Sequence, residues 1–392
     1  MALLRAEPVA ILAAGVVTPI GADLDAFWSG LVGGADGIST IERFRVDDLR
    51  VGRGGEIKKL RAPRAVDAPR CRATALLLAA ADDLLGRARL AADPTRVAVV
   101  VGTALGGVEE LERAVEDDPG PRAAAGALYD SPAHALAARL CARGPVLTVS
   151  TACASGATAI GLGADLLRDD RADLVVAGGY DVLCRFVMRG FDALRSLTRD
   201  RVRPFDRRRT GLLLGEAAGL VLLARDQETR GRRLGRLLGH ASTSDGSHIA
   251  APDPHGRGLE LAIREALAEA AVSAADVDFV SAHGTGTPLN DRIETAVLKR
   301  VLGARAHAVP VNSIKGAFGH TMGAAATLEA IMCLLASRER LVPPTAGYEE
   351  PDPECDLDYV RDAGRTVRTR LSLSTSLGFG GCNAALILEG TG

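Results

Sequence analysis

Nearly continuous runs of Val, Leu, Ile and Ala punctuate the chain: PVAIL at 8–12, RVAVVVG at 96–102, ADLVVAGG at 172–179, AGLVLLA at 218–224 and VDFVSAHG at 277–284. Longer Ala- and Leu-rich stretches with helical spacing lie between them, among them CRATALLLAAADDLLGRARL (71–90) and GLELAIREALAEAAV (258–272). Short apolar runs alternating with helical patterns predict an α/β fold. Strands that lack a polar face belong to sheets covered by helices on both sides.

Two stretches resemble each other. VLTVSTACASGATAIGLGADLLRD (146–169) and AVPVNSIKGAFGHTMGAAATLEAIMCLLASR (308–338) each read as a strand, a turn with a polar residue, and an Ala/Gly-rich helix. A duplicated α/β unit follows, with halves at 1–235 and 236–392 and the join in the Arg/Gly-rich ETRGRRLGRLLGHA. A length of 392 residues also favours two domains or two fused halves. Small-residue helices have a structural reading as well, since they pack closely at the centre of a layered protein.

Composition narrows the class. The hydrophobic share of 47% and charged share of 24% are those of a globular protein, and the formal net charge of −2 gives no global argument for nucleic acid or membrane binding. Seven scattered cysteines without a Cys-x-x-Cys pair argue for a reducing compartment and against a disulfide or zinc framework. The opening apolar run is broken by Glu7 and Pro8, and no run approaches the roughly 18 residues of a membrane span. A cytoplasmic location is expected.

Candidate chemistry starts at Cys153, which follows a strand pattern and opens a helix. Helix N-terminal N–H groups there stabilise a thiolate and lower the pKa from about 8.5. Taken alone, a buried structural cysteine is the commoner fate. SAHGTGTPLND around His283 and NSIKGAFGHTMGAAA with Lys315 and His320 change that balance, because both histidines lie in Gly-rich turns near the ends of strand patterns. One thiolate to carry an acyl group and two donors to hold a second thioester as an enolate are what acyl-thioester condensation requires. GFGGCN (378–383) adds a turn whose backbone N–H groups are unobstructed.

With these motifs in order, from GVVTPIG through TACASG, RPFDRRRTGLLLGEAAG, AHGTGTPLND and KGAFGHTMGAA to GFGGCNAALIL, the sequence resembles the β-ketoacyl-acyl carrier protein synthases of the thiolase superfamily, specifically the elongating Cys-His-His type. The resemblance spans nearly the whole chain and implies a thiolase-like duplicated α-β-α-β-α layered fold. It implies that Cys153 accepts the acyl chain, that His283 and His320 bind the malonyl thioester oxygen and promote decarboxylation, and that Lys315 with its carboxylate partner Glu329 supports the histidines. Thr285 and Thr287 match the threonines that contact the pantetheine arm. Phe379 matches the gating phenylalanine, whose N–H joins that of Cys153 as the oxyanion hole. No redox cofactor or catalytic metal is implied, since the substrates ride on the phosphopantetheine of an acyl carrier protein.

Several positions depart from the family pattern. Thr210 stands where Asp is common, Leu212 where an aromatic is frequent, Ala217 where Gly is usual and Leu377 where Phe is common; the Ala-rich stretch 117–135 is short for a segment lining the acyl pocket and dimer contact. Chain-length preference is not readable from these. Lys58, Lys59, Arg64, Arg70, Arg72 and the Arg199–Arg209 cluster are candidates to dock an acidic carrier, set against the plain reading that exposed arginines are solvated. A coenzyme A thiolase is the nearest alternative enzyme, with Cys382 as its second cysteine. A non-catalytic chain-length-factor type is opposed by the retained Cys153, His283, His320 and Lys315. A homodimer and the active half of a heterodimer with such a partner both fit.

Overall fold

The computed structural model describes residues 6–60, 71–117, 126–228 and 233–392. Eleven strands join in one mixed sheet: β1 (Val9–Val17), β2 (Val97–Gly102), β3 (Val146–Val149), β4 (Leu174–Asp181), β5 (Ala217–Arg225), β6 (Gly235–Ser244), β7 (Phe279–Ser281), β8 (Pro310–Asn312), β9 (Asp358–Tyr359), β10 (Leu371–Gly378) and β11 (Cys382–Gly390). Their order across the sheet is β9-β8-β7-β10-β11-β6-β1-β5-β4-β2-β3. The first five strands run β3-β2-β4-β5-β1 and the later set β8-β7-β10-β11-β6, so both leaves have the internal order third, second, fourth, fifth, first. Pairing repeats too: the second strand is parallel to the third and fourth, and the fifth is antiparallel to both neighbours.

The leaves meet where β1 pairs antiparallel with β6 through Val9–Leu237, Ala10–Arg236 and Ile11–Gly235. The boundary at 235/236 therefore cuts β6 at its first residue. β3 and β8, the strands of the two similar stretches, hold equivalent places in their leaves.

The helices are α1 (Leu24–Val32), α2 (Arg72–Arg87), α3 (Val108–Asp117), α4 (Ser131–Leu140), α5 (Ser155–Arg168), α6 (Arg185–Ala193), α7 (Arg257–Ala270), α8 (Pro288–Leu302), the single turn α9 (Lys315–Phe318) and α10 (Ala325–Glu339). α2 and α4 cover the outer face of the first leaf, α7 and α8 that of the second, and α5 and α10 lie between the leaves. This is the α-β-α-β-α layering. β2 and β4 are buried at every residue, as their unbroken apolar runs require. Three hydrophobic clusters fill the spaces between layers, the central one built from both leaves and both middle helices.

The middle helices abut because their contact faces are small. α10 is buried from Ala325 through Ser337, the signature of a helix enclosed on all sides. A Cβ at Gly156 of α5 would fall on Thr327 Oγ1 and lie 2.8 Å from the Gly323 carbonyl. Among the described residues, no helix is long and apolar enough to cross a membrane.

Gly156→Ala is expected to lower folding stability by about 1–3 kcal/mol through overpacking. Gly190→Ala, in α6 with nothing within 4 Å of its added Cβ, is expected to leave stability unchanged or raise it by up to about 1 kcal/mol. Thermal unfolding of the two variants checks this, and equal melting temperatures would contradict the close helix contact.

Candidate active site

The turn before α5 presents Cys153. Ala152 takes a left-handed φ of 49°, an unusual setting for a residue with a side chain. Ser155 holds the turn in place: its hydroxyl accepts the Thr151 N–H at 2.9 Å and donates to the Ala152 carbonyl at 2.6 Å. From the other leaf, the loop after β10 closes over the sulfur, and the Phe379 N–H donates to it. This approach needs glycine at 378, where a Cβ would lie 2.9 Å from the Thr151 carbonyl and 3.1 Å from the Cys153 nitrogen. Phe379 packs at a tilt of 32° against Phe191 of α6, with ring centroids 5.3 Å apart.

The lowered thiol pKa expected from the helix N-terminus is overturned by burial. Loss of water pushes Cys153 up to about 12; the Lys315 charge and the Phe379 N–H pull it down, while Asp181 and Glu329 push it further up. Cys153 is therefore a neutral thiol in the free protein.

His283 follows β7, whereas His320 lies one helical turn beyond β8, behind α9, and not directly at a strand end. Their rings meet edge to face with centroids 5.2 Å apart. Lys315 Nζ lies 3.4 Å from His283 Nδ1, donates to the His283 carbonyl at 2.5 Å and forms a buried ion pair with Glu329. Burial first, and the Lys315 charge second, hold both histidines well below the ordinary histidine range, so both are neutral. A donor at Nδ1 makes that atom the acceptor and leaves His283 with its proton on Nε2. Neither ring nitrogen of His320 has a hydrogen-bond partner among the described residues, although the side chain is buried.

A cavity of about 420 Å³ joins these groups, lined by Cys153, His283, His320, Thr285, Thr287 and Phe379. Lys315 and Glu329 do not line it; their ion pair adjoins it through the Lys315 contact with His283. Thr210, Leu212 and Leu377, three of the four departures from the family pattern, also line it. The fourth, Ala217, is buried at the start of β5 opposite Asp181. Cys382 is not among the lining residues.

Two buried carboxylates escaped the sequence reading. Glu294 accepts the N–H groups of His283 at 2.7 Å and Gly284 at 2.9 Å, and the Thr375 hydroxyl at 2.7 Å. Asp291 accepts the N–H groups of Phe205 at 2.7 Å and Thr285 at 3.1 Å. Asp291 is the last residue of GTGTPLND and Glu294 lies three residues further along α8, which begins at Pro288 inside that motif; an acidic residue among the apolar positions of that helix pattern was the available signal.

The basic candidates divide. Arg72 is tied to buried Glu216, Lys58 to Glu56 and Glu42, Arg203 to Asp200, Arg208 to Glu349 and Arg209 to Asp352, so none is a free docking charge. Lys59, Arg199 and Arg207 are exposed. Arg64 and Arg70 lie outside the described residues, as do 118–125 of the short stretch 117–135.

Known proteins match this arrangement along the whole chain. The family models "Beta-ketoacyl synthase, N-terminal domain" and "Beta-ketoacyl synthase, C-terminal domain" match residues 6–229 and 234–349. The tetracenomycin polyketide synthase ketoacyl synthase alpha subunit of Streptomyces glaucescens is 38% identical, over 97% of this chain and 96% of its own. The 3-oxoacyl-[acyl-carrier-protein] synthase 2 of Synechocystis is 34% identical over 99% of both. Among solved structures, the ishigamide ketosynthase/chain length factor superposes with a TM-score of 0.93 at 31% identity, covering 99% of this chain and 100% of that one. A type II polyketide synthase acyl-carrier protein in complex with its ketosynthase gives 0.90 at 26% identity, covering 99% and 100%.

A neutral resting thiol predicts that alkylation of Cys153 by iodoacetamide rises about tenfold per pH unit from pH 7 to pH 9, without a plateau. Peptide mass spectrometry of the Cys153 fragment follows the rate, and a plateau below pH 8 would mean that the helix N-terminus outweighs burial.

Proposed function

Because the chain belongs to the β-ketoacyl synthase family, we propose that it condenses an acyl chain held on Cys153 with a malonyl unit on an acyl carrier protein, releasing carbon dioxide and giving a β-ketoacyl chain two carbons longer for fatty-acid or polyketide assembly. One observation carries this reading: a single cavity holds a nucleophilic sulfur and two buried neutral histidines, one with neither ring nitrogen bonded.

In the first half-reaction the Cys153 sulfur attacks the carrier thioester carbonyl. The new C–S bond forms as the bond to the pantetheine sulfur breaks, and that sulfur leaves as a thiol with the proton given up by Cys153. The developing oxyanion takes the Phe379 N–H that rests on the sulfur in the free enzyme, together with the amide of Cys153. In the second, the malonyl thioester oxygen occupies the space before His283 Nε2–H and the unpartnered His320. The bond to the carboxylate breaks, its electron pair forms the enolate, and the enolate carbon attacks the acyl-Cys153 carbonyl, expelling the sulfur as a thiolate that takes a proton from water to restore the resting thiol. Neutral N–H donors stabilise the enolate without first losing a proton themselves. Thr285 and Thr287 line the way in for the pantetheine arm. Both acyl groups arrive as thioesters, so the reaction calls for no redox cofactor or catalytic metal.

The carrier protein is the substrate-delivering partner. Exposed Arg195 at the cavity lining, with Arg199 and Arg207 nearby in sequence and free of ion pairs among the described residues, suits an acidic carrier. A second synthase-like chain, identical or not, is the other partner. β3 ends the sheet with Leu147 exposed, which supports pairing there. Such an enzyme works in the cytoplasm, where its carrier is.

Intact-protein mass spectrometry after incubation with acyl-carrier thioesters is expected to show an adduct that Cys153→Ala abolishes. His320→Ala is expected to load acyl normally but to lose condensation by at least about a hundredfold. Loading from acyl-coenzyme A alone would overturn the carrier reading in favour of a thiolase.

A further inference from the structure

Asp181 closes β4, is fully buried, and has no role in the chemistry above. Its carboxylate gathers donors from both halves of the chain. Oδ1 accepts the Thr103 hydroxyl at 2.7 Å and the Leu105 N–H at 3.1 Å; Oδ2 accepts the Ala104 N–H at 2.8 Å and the Gly323 N–H at 2.6 Å. No ion pair reaches it among the described residues.

Each contact leads to a reacting group. Gly323 lies three residues beyond His320, beside Met322, whose left-handed φ of 49° needs an outside restraint. The Thr103 carbonyl lies 3.3 Å from the Ser155 hydroxyl, the group that holds the Cys153 turn. Glycines make the junction tight: a Cβ at Gly323 would stand 2.7 Å from Asp181 Oδ2, and one at Gly179 of β4 would fall on the Gly323 carbonyl.

We propose that Asp181 is a positioning residue that sets the spacing between the Cys153 turn and the His320 turn through its hydrogen bonds to both, and that its buried negative charge adds to the burial that disfavours ionisation of the Cys153 thiol. Desolvation raises the carboxyl to about 6, so the charge is present at pH 8. It acts on the Cys153 thiol in the direction that opposes ionisation. The effect on condensation rests on the function proposed above; the effect on the thiol does not.

Asp181→Asn removes the charge at nearly unchanged volume and turns an amide NH₂ toward N–H donors. Condensation is expected to fall about 10- to 100-fold in kcat with KM for the acyl carrier within about twofold. Alkylation of Cys153 by iodoacetamide at pH 8 is expected to rise roughly three- to tenfold. Loosening around the buried thiol would also speed alkylation, but at every pH, whereas loss of the Asp181 charge speeds it only above about pH 6, where the wild-type carboxyl is ionised. Slower alkylation, or an unchanged rate, overturns the proposal, and does so without substrate, so it stays distinguishable from a wild type that fails to condense. Should Asp181→Asn not fold, Thr103→Val serves: it removes one donor and leaves the charge. It is expected to slow condensation several-fold with alkylation unchanged, and full condensation activity would overturn the positioning role.

Discussion

A single buried ammonium group organises the site. Lys315 spends its donors on the Glu329 carboxylate, the His283 carbonyl and His283 Nδ1, all inside the protein. Removing one partner of a buried ion pair costs on the order of 3–5 kcal/mol, because the other charge is left without water or counterion. The arrangement is therefore held in one geometry. From that geometry follow the tautomer of His283, a push that adds to burial in keeping both histidines neutral, and part of the pull on the Cys153 thiol.

Duplication explains how one ammonium reaches so much chemistry. Cys153 follows the third strand of the first leaf, and Lys315 and His320 follow the third strand of the second. His283 and Phe379 follow the second and fourth strands of the second leaf. All but His320, which lies one turn further on behind α9, emerge at or just after carboxyl ends of strands, and the two middle helices bring those ends together. Small residues are needed at each closure, since Gly156, Gly323 and Gly378 occupy places where a Cβ would strike the opposing turn. Burial then has an electrostatic consequence: a site closed this tightly favours neutral thiol and neutral imidazoles over their charged forms. Such a site does its work with oriented donors.

Unbroken apolar runs made the strands legible, and the ordered motifs made Cys153, His283, Lys315, His320 and Phe379 legible as a set. The duplication was implied by the two similar stretches and the layering by the family resemblance, whereas the repeated strand order was visible only in the folded sheet. Arg72 and Arg209 read as surface charges because arginine is abundant here, while their acidic partners, Glu216 and Asp352, lie 144 and 143 residues away. Asp181 was silent for a related reason: its donors lie 76 to 78 and 142 residues away, so it leaves no spacing pattern of its own, whereas Asp291 and Glu294 showed only as acidic residues in an apolar helix pattern.

The sequence by itself determined which residue types were available and at which turns, because glycine, cysteine and histidine at strand ends have few other uses. Only the tertiary structure decided their charge states and mutual reach. The Cys153 thiol is the clearest case. Local position at a helix N-terminus predicts a lowered pKa, but the loop carrying Phe379, more than 200 residues away in sequence, removes the water that a thiolate needs. Desolvation depends on what packs over a group, and that is a property of the whole fold.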